Sequence, residues 1–122
     1  MGKKILLVDD APVIRLMLKD ILSFHGYTVI GEANNGNEAV KLYKELKPDL
    51  VTMDIIMPEK DGIEALRDIL ISDPNARVVM VTAIDQRESL IKAIRLGAVD
   101  YIVKPFEEDR VISAIKKAFG EE

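Results

Sequence analysis

Short apolar runs alternate with longer amphipathic stretches five times along this chain. The runs are Ile5–Val8, Thr28–Ala33, Leu50–Met53, Val78–Val81 and Tyr101–Val103. They are rich in Val and Ile, and most lack the polar alternation of a half-exposed strand. That pattern predicts parallel strands covered on both faces. Between and after them lie stretches with apolar residues three and four apart. The first carries Val13, Leu16, Met17 and Ile21 and ends near Gly26. The second carries Ala39, Val40, Tyr43 and Leu46 and stops before Pro48. The third has Ile63, Leu66, Ile69 and Leu70 before Pro74. The fourth has Leu90, Ile91 and Ile94 before Gly97, and the fifth has Val111, Ile112, Ile115 and Phe119 before Gly120. This is helical spacing, closed each time by Gly or Pro. Five βα units in a row predict a parallel sheet with helices on both faces, joined by right-handed crossovers. A single domain over residues 1–122, with no output domain, is expected.

Composition narrows the function more than the fold. Of 122 residues, 48% are apolar and 31% charged, so a core can form. The net charge of -4 argues against a nucleic-acid partner, which requires a basic face to replace phosphate counterions. The absence of Cys excludes disulfides, thiolate chemistry and Cys-type zinc sites. No apolar run approaches the ~18 residues of a membrane span. The opening "MGKKILLVDD" is too short in its oily part for a signal peptide. A cytoplasmic monomer without membrane insertion is expected.

In an open α/β sheet, ligands bind beyond the carboxyl ends of the strands. Asp9 and Asp10 follow the first run and Asp54 the third. Thr82 and then Ala83 close the fourth, and Lys104 and then Pro105 follow the fifth. Three carboxylates, a hydroxyl and an ammonium are thus expected at one end. At ~4 Å and an effective dielectric near 20, each carboxylate pair repels by roughly 4 kcal/mol. Such a cluster calls for a cation, and hard oxygen ligands favour Mg²⁺, or Mn²⁺, over zinc. The ion's remaining positions would take waters or phosphoryl oxygens, with Lys104 and Thr82 holding the other oxygens. Singly, each residue has a plainer reading: Asp9 and Asp10 as helix caps, Thr82 as an N-cap, Lys104 as a solvated strand end. Their coincidence at four strand ends, in chemically complementary order, favours a site.

The motifs "LLVDD" (6–10), "MDIIMPEKDG" (53–62), "VTA" (81–83) and "YIVKPF" (101–106) resemble the receiver domain of bacterial two-component response regulators, over essentially the whole chain. The stretch "DDAPVIRLMLKDIL" looks most like the stand-alone chemotaxis regulators. The resemblance implies a flavodoxin-like three-layer α/β/α sandwich, with a five-stranded parallel sheet in order 2-1-3-4-5 and five helices. It implies that Asp54 accepts a phosphoryl group from a partner histidine kinase. Asp10, Asp54 and the Ile56 carbonyl would bind Mg²⁺, with Asp9 acting largely through water. Lys104 would pair with the phosphoryl group, the Thr82 hydroxyl would bond to it, and small Ala83 would let it enter. Thr82 and Tyr101 would be the switch, changing the surface of helix 4, strand 5 and helix 5 for a target such as a flagellar switch protein. Lys104–Pro105 would be cis. Ile56 and Ile84 occupy tuning positions, where their bulk predicts a long-lived phosphoryl group.

Other readings remain open at this stage. A phosphorelay intermediate would pass the group to a histidine phosphotransferase. A Mg²⁺-dependent aspartyl-nucleophile phosphatase wants a second Asp two residues after its nucleophile, where this chain has Ala11 or Ile56. A flavodoxin wants a Ser/Thr/Gly-rich phosphate loop where this chain has acids. A degenerate receiver would lack part of the acid set, which is complete here. His25, the only histidine, sits near the end of the first helix, where a cation suits the dipole. Phe106 is expected to pack against the last helix.

Overall fold

The computed structural model describes residues 2–121; Met1 and Glu122, part of the expected domain, lie outside the described residues. The elements run β1 (Lys4–Val8), α1 (Pro12–Phe24), β2 (Thr28–Ala33), α2 (Gly36–Leu46), β3 (Leu50–Met53), α3 (Gly62–Ser72), β4 (Val78–Ala83), α4 (Arg87–Leu96), β5 (Asp100–Lys104) and α5 (Glu108–Ala118). All strand pairs are parallel, in the order β2-β1-β3-β4-β5. This is the flavodoxin-like arrangement the resemblance implies.

Successive strand residues point to opposite faces, so the sheet divides the core in two. Leu6, Val51, Met53, Val78 and Met80 pack with Ala39, Tyr43, Leu66, Ile69 and Ala93 of α2, α3 and α4. Ile5, Leu7, Leu50, Val79, Val81 and Ile102 pack with Leu18 and Leu22 of α1 and Val111, Ile112 and Ile115 of α5. Each fully buried Leu, Ile or Val contributes about 1.5–3 kcal/mol. Phe106 is half-buried against this second cluster, to which α1 and α5 both contribute.

Helix starts are fixed at the end of the sheet where the acids lie. Asn35 accepts from the Glu38 amide at 2.9 Å and caps α2. Asp61 and Glu64 form a reciprocal capping box on α3. Such caps contribute about 1 kcal/mol each. α1 differs: its N-cap is Ala11, with no side-chain cap but with Pro12 at its first position.

In α1 and α4 the residues that mark the helical spacing are not all the ones that pack. Val13, Leu16 and Met17 are exposed, and Leu18 and Leu22 are the buried residues of α1. In α4 the buried residue is Ala93, while Ile91 and Ile94 face outward. Both helices carry apolar residues around more than one face, and only one arc can meet the sheet. Strands β4 and β5 also run further than their apolar cores, through Thr82 and Ala83 and through Lys104.

Candidate functional site

The strand register builds a shelf and a wall. Val8, Met53, Met80 and Tyr101 lie in one row across β1, β3, β4 and β5. β1 and β3 stop at that row, while β4 and β5 continue to the paired Ala83 and Lys104. Asp9 and Asp54 sit on the shelf, where the ladder extends by one bond each. The Asp9 amide donates to the Ala33 carbonyl at 3.0 Å, and the Asp54 amide to that of Val8 at 2.9 Å. Their backbones are therefore as fixed as the sheet itself.

The acids sit in different environments. Asp9 is buried and Asp10 exposed. Asp54 is buried, with its side chain 10% exposed. Carboxylate oxygens of all three approach within 4.8 Å of one another. Asp9 Oδ1 accepts from the Ala11 amide at 2.9 Å, closing the turn into α1. Asp54 Oδ1 accepts from the Ile55 amide at 2.7 Å. The other oxygens face Lys104, whose Nζ lies 2.8 Å from Asp9 Oδ2 and 3.4 Å from Asp54 Oδ2. Burial pushes the Asp54 carboxyl up to about 6, and the neighbouring Asp9 adds to this; Lys104 and the Ile55 amide only partly offset them. For Lys104, burial alone would pull the ammonium down. The hydrogen bond to Asp9 and the charges of Asp54 and Asp9 outweigh it, so the group stays charged above the ordinary lysine range.

One ammonium thus pairs with two of the three carboxylates, Asp9 and Asp54, and leaves exposed Asp10 to solvent. Asp9 Oδ2 is buried and has no hydrogen bond among the described residues beyond this ionic contact. The donor set is entirely oxygen and suits a small hard cation. Thr82 is buried, and among the described residues the one hydrogen bond its hydroxyl makes is a long 3.5 Å donation to the Ala83 carbonyl. It is free to exchange that contact for a better acceptor. Ala83 is exposed beside it, and Lys104–Pro105 is cis.

The loop after Asp54 alternates. Ile55 and Met57 are buried in the core, while Ile56 points out at 59% exposure. This anchoring explains why Ile55 and Met57 are apolar, and three consecutive apolar residues gave no signal in the sequence of which one would face outward. Gly62 closes the loop, its amide donating to the Ile55 carbonyl at 2.8 Å.

Tyr101 lies on edge strand β5, 41% exposed, with the Arg110 guanidinium 5.5 Å from its ring centre. It borders a groove of about 540 Å³ between α4 and β5, whose apolar lining includes Ile84, Leu90, Ile91 and Ile94. Arg87 and Arg95 also line it. A second outward stripe, Val13, Leu16 and Met17, begins on α1 just after Asp10. His25 stands apart from the acids: its Nε2 lies 2.7 Å from a Glu108 carboxylate oxygen, joining α1 to α5.

Residues 5–116 match the family described as the response regulator receiver domain. The chain is 56% identical over 117 residues to the chemotaxis protein CheY of Thermotoga maritima, covering 96% of this chain and 98% of that one. It is 55% identical over 120 residues to CheY of Bacillus subtilis, covering 98% and 100%. Among solved structures it resembles the CheX–CheY–BeF3–Mg complex of Borrelia burgdorferi, with a TM-score of 0.92 and 35% identity over 96% of this chain and 89% of that one. Family match, near full-length identity and shared fold agree: this chain belongs to the response regulator receiver domains.

Proposed function

We propose that this chain is a chemotaxis-type response regulator that accepts a phosphoryl group on Asp54 from a histidine kinase. Receiver domains bind Mg²⁺ at an acidic pocket, and the observation that carries the reading is the Asp9–Asp10–Asp54 cluster, with Lys104 paired to Asp9 and Asp54. Asp10, Asp54 and the Ile56 carbonyl would hold the ion, with Asp9 reaching it largely through water. Bound Mg²⁺ would supply the positive charge that lets acids and phosphoryl oxygens share the site.

Asp54 Oδ2 attacks the phosphorus of a phosphohistidine. The new O–P bond forms as the P–N bond breaks, and the imidazole nitrogen keeps the electron pair. The chain contributes position and charge. The ladder bond at Asp54 fixes the nucleophile, Lys104 faces the incoming oxygens, and the Thr82 hydroxyl donates to one of them. Ala83 leaves the entrance open. Thr82 is withdrawn from its weak contact, and Tyr101 turns from Arg110 toward the vacated space. The α4–β5–α5 surface then changes its affinity for a target. The α1 stripe beside the entrance gives the phosphodonor protein an apolar surface to rest on.

The test is incubation with acetyl phosphate and Mg²⁺, read by intact mass. One phosphoryl adduct, stable in acid and labile in base, is expected on wild type and absent from Asp54→Asn. Failure of wild type to take up Mg²⁺ or phosphoryl would overturn the reading. Turnover of a phosphate ester without a stable adduct would instead favour an aspartyl phosphatase.

A further inference from the structure

We propose that Gly36, the first residue of α2, is a positioning residue for the phosphoacceptor loop; this rests on the phosphoryl-acceptor reading of Asp54. Gly36 lies outside the motifs that carry the resemblance. It is buried against Lys60, and its amide donates to the Lys60 carbonyl at 2.8 Å. A Cβ at position 36 would stand 2.3 Å from that oxygen, 2.8 Å from its carbonyl carbon and 2.7 Å from Lys60 Cγ. The glycine is therefore required by the contact with the loop, whose closest atom is a backbone oxygen.

The loop has little slack to absorb a push. At its apex the Lys60 amide donates to the Pro58 carbonyl at 2.8 Å, across Glu59 at φ 68°. Such three-residue turns are tight and strained. Lys60 Nζ is paired with Asp68 of α3. At the far end Gly62 is wedged in turn: a Cβ there would lie 1.9 Å from the Asp54 carbonyl oxygen. The segment 55–61 is thus held between the first residues of two helices. A displacement at Lys60 is therefore passed along the loop, under this proposal, toward the Ile56 carbonyl and Asp54.

The test compares Gly36→Ala with Gly31→Ala. Gly31 lies on β2, where a Cβ would meet only the side-chain ends of Leu46 and Leu6, at 2.7 and 3.3 Å. Amide spectra of the metal-free proteins should show shifts from Lys60 back to Asp54 in Gly36→Ala and none there in Gly31→Ala. Calorimetry should show Mg²⁺ affinity about tenfold weaker in Gly36→Ala, the usual scale for supporting residues, with acetyl phosphate acceptance reduced in parallel. The loss should shrink in a Lys60→Gly background, where the loop can retreat; that background also serves if Gly36→Ala alone does not fold. A Gly36→Ala protein that melts lower yet keeps wild-type loop shifts and Mg²⁺ affinity, or a loss unchanged by Lys60→Gly, would overturn the proposal. Wild type that binds no Mg²⁺ would overturn the acceptor reading but leave the amide comparison intact.

Discussion

Replacing Asp54 by Asn should stabilise the metal-free protein at neutral pH. Burial, then Asp9, pushes the Asp54 carboxyl from an ordinary 3.8 to about 6. The folded chain therefore holds a proton that the unfolded chain has already released, and folding stability falls as pH rises from about 4 to about 6. Above 6 the whole difference is present. At about 1.4 kcal/mol per unit, ionised Asp54 costs roughly 3 kcal/mol at pH 7. Asn keeps the shape of the neutral acid and removes most of that, about 2–3 kcal/mol. For a chain of this length the melting temperature should rise by about 6–15 °C. The assay is urea unfolding in EDTA, followed by far-ultraviolet circular dichroism between pH 4 and 8. The gain should be near zero at pH 4 and level off above pH 6.5. A gain independent of pH, or an Asn protein no more stable at pH 7, would refute the electrostatic account. Added Mg²⁺ at a hundred times its dissociation constant should return about 2.7 kcal/mol to wild type and much less to the variant.

Thr52 Oγ1 is buried without a partner among the described residues, so Thr52→Val should stabilise by about 1 kcal/mol in chemical denaturation; a loss would show an unseen bond. Phosphorylated Ile56→Asn should lose its phosphoryl group faster than wild type, because an exposed apolar side chain beside the acceptor gives way to one that can orient water; equal or slower decay in a phosphate-release assay would sink that account. Leu16→Glu should slow transfer from a phosphorylated kinase while leaving acetyl phosphate acceptance intact, and equal slowing of both would remove α1 from the docking surface. Tyr27, pushed up to about 12 by burial and by its hydrogen bond to Glu121, should ionise well above pH 10 in an ultraviolet titration. The folded state resists that ionisation, so stability should fall as pH climbs past 10; a Tyr27→Phe protein that shows an unchanged tyrosinate curve would contradict this.

The strands and their order of chemistry were legible because buried parallel strands leave unbroken apolar runs, and polar residues at their ends stand out. The phase of α1 and α4 was not. Val13, Leu16 and Met17 keep helical spacing as well as Leu18 and Leu22 do, and only the sheet decides which arc is covered. The reach of β4 and β5 was hidden because Thr82 and Lys104 look like strand-ending residues while still pairing in the ladder. The difference between buried Asp9 and exposed Asp10 follows from the turn into α1, which adjacent identical residues cannot reveal. Gly36 left no signal, since its partner is the backbone of a residue far along the chain.

The shelf-and-wall register also bears on how such a chain can be recombined. The three acids belong to the first half, whereas the groove of α4 and β5 is written almost entirely after Ala83. On the proposed function, a chimera taking its later segment from a relative, with Lys104 retained, would inherit its acceptor chemistry from one parent and its target surface from the other. Under that reading, a lineage built on this layout could change whom it addresses without relearning how to be charged.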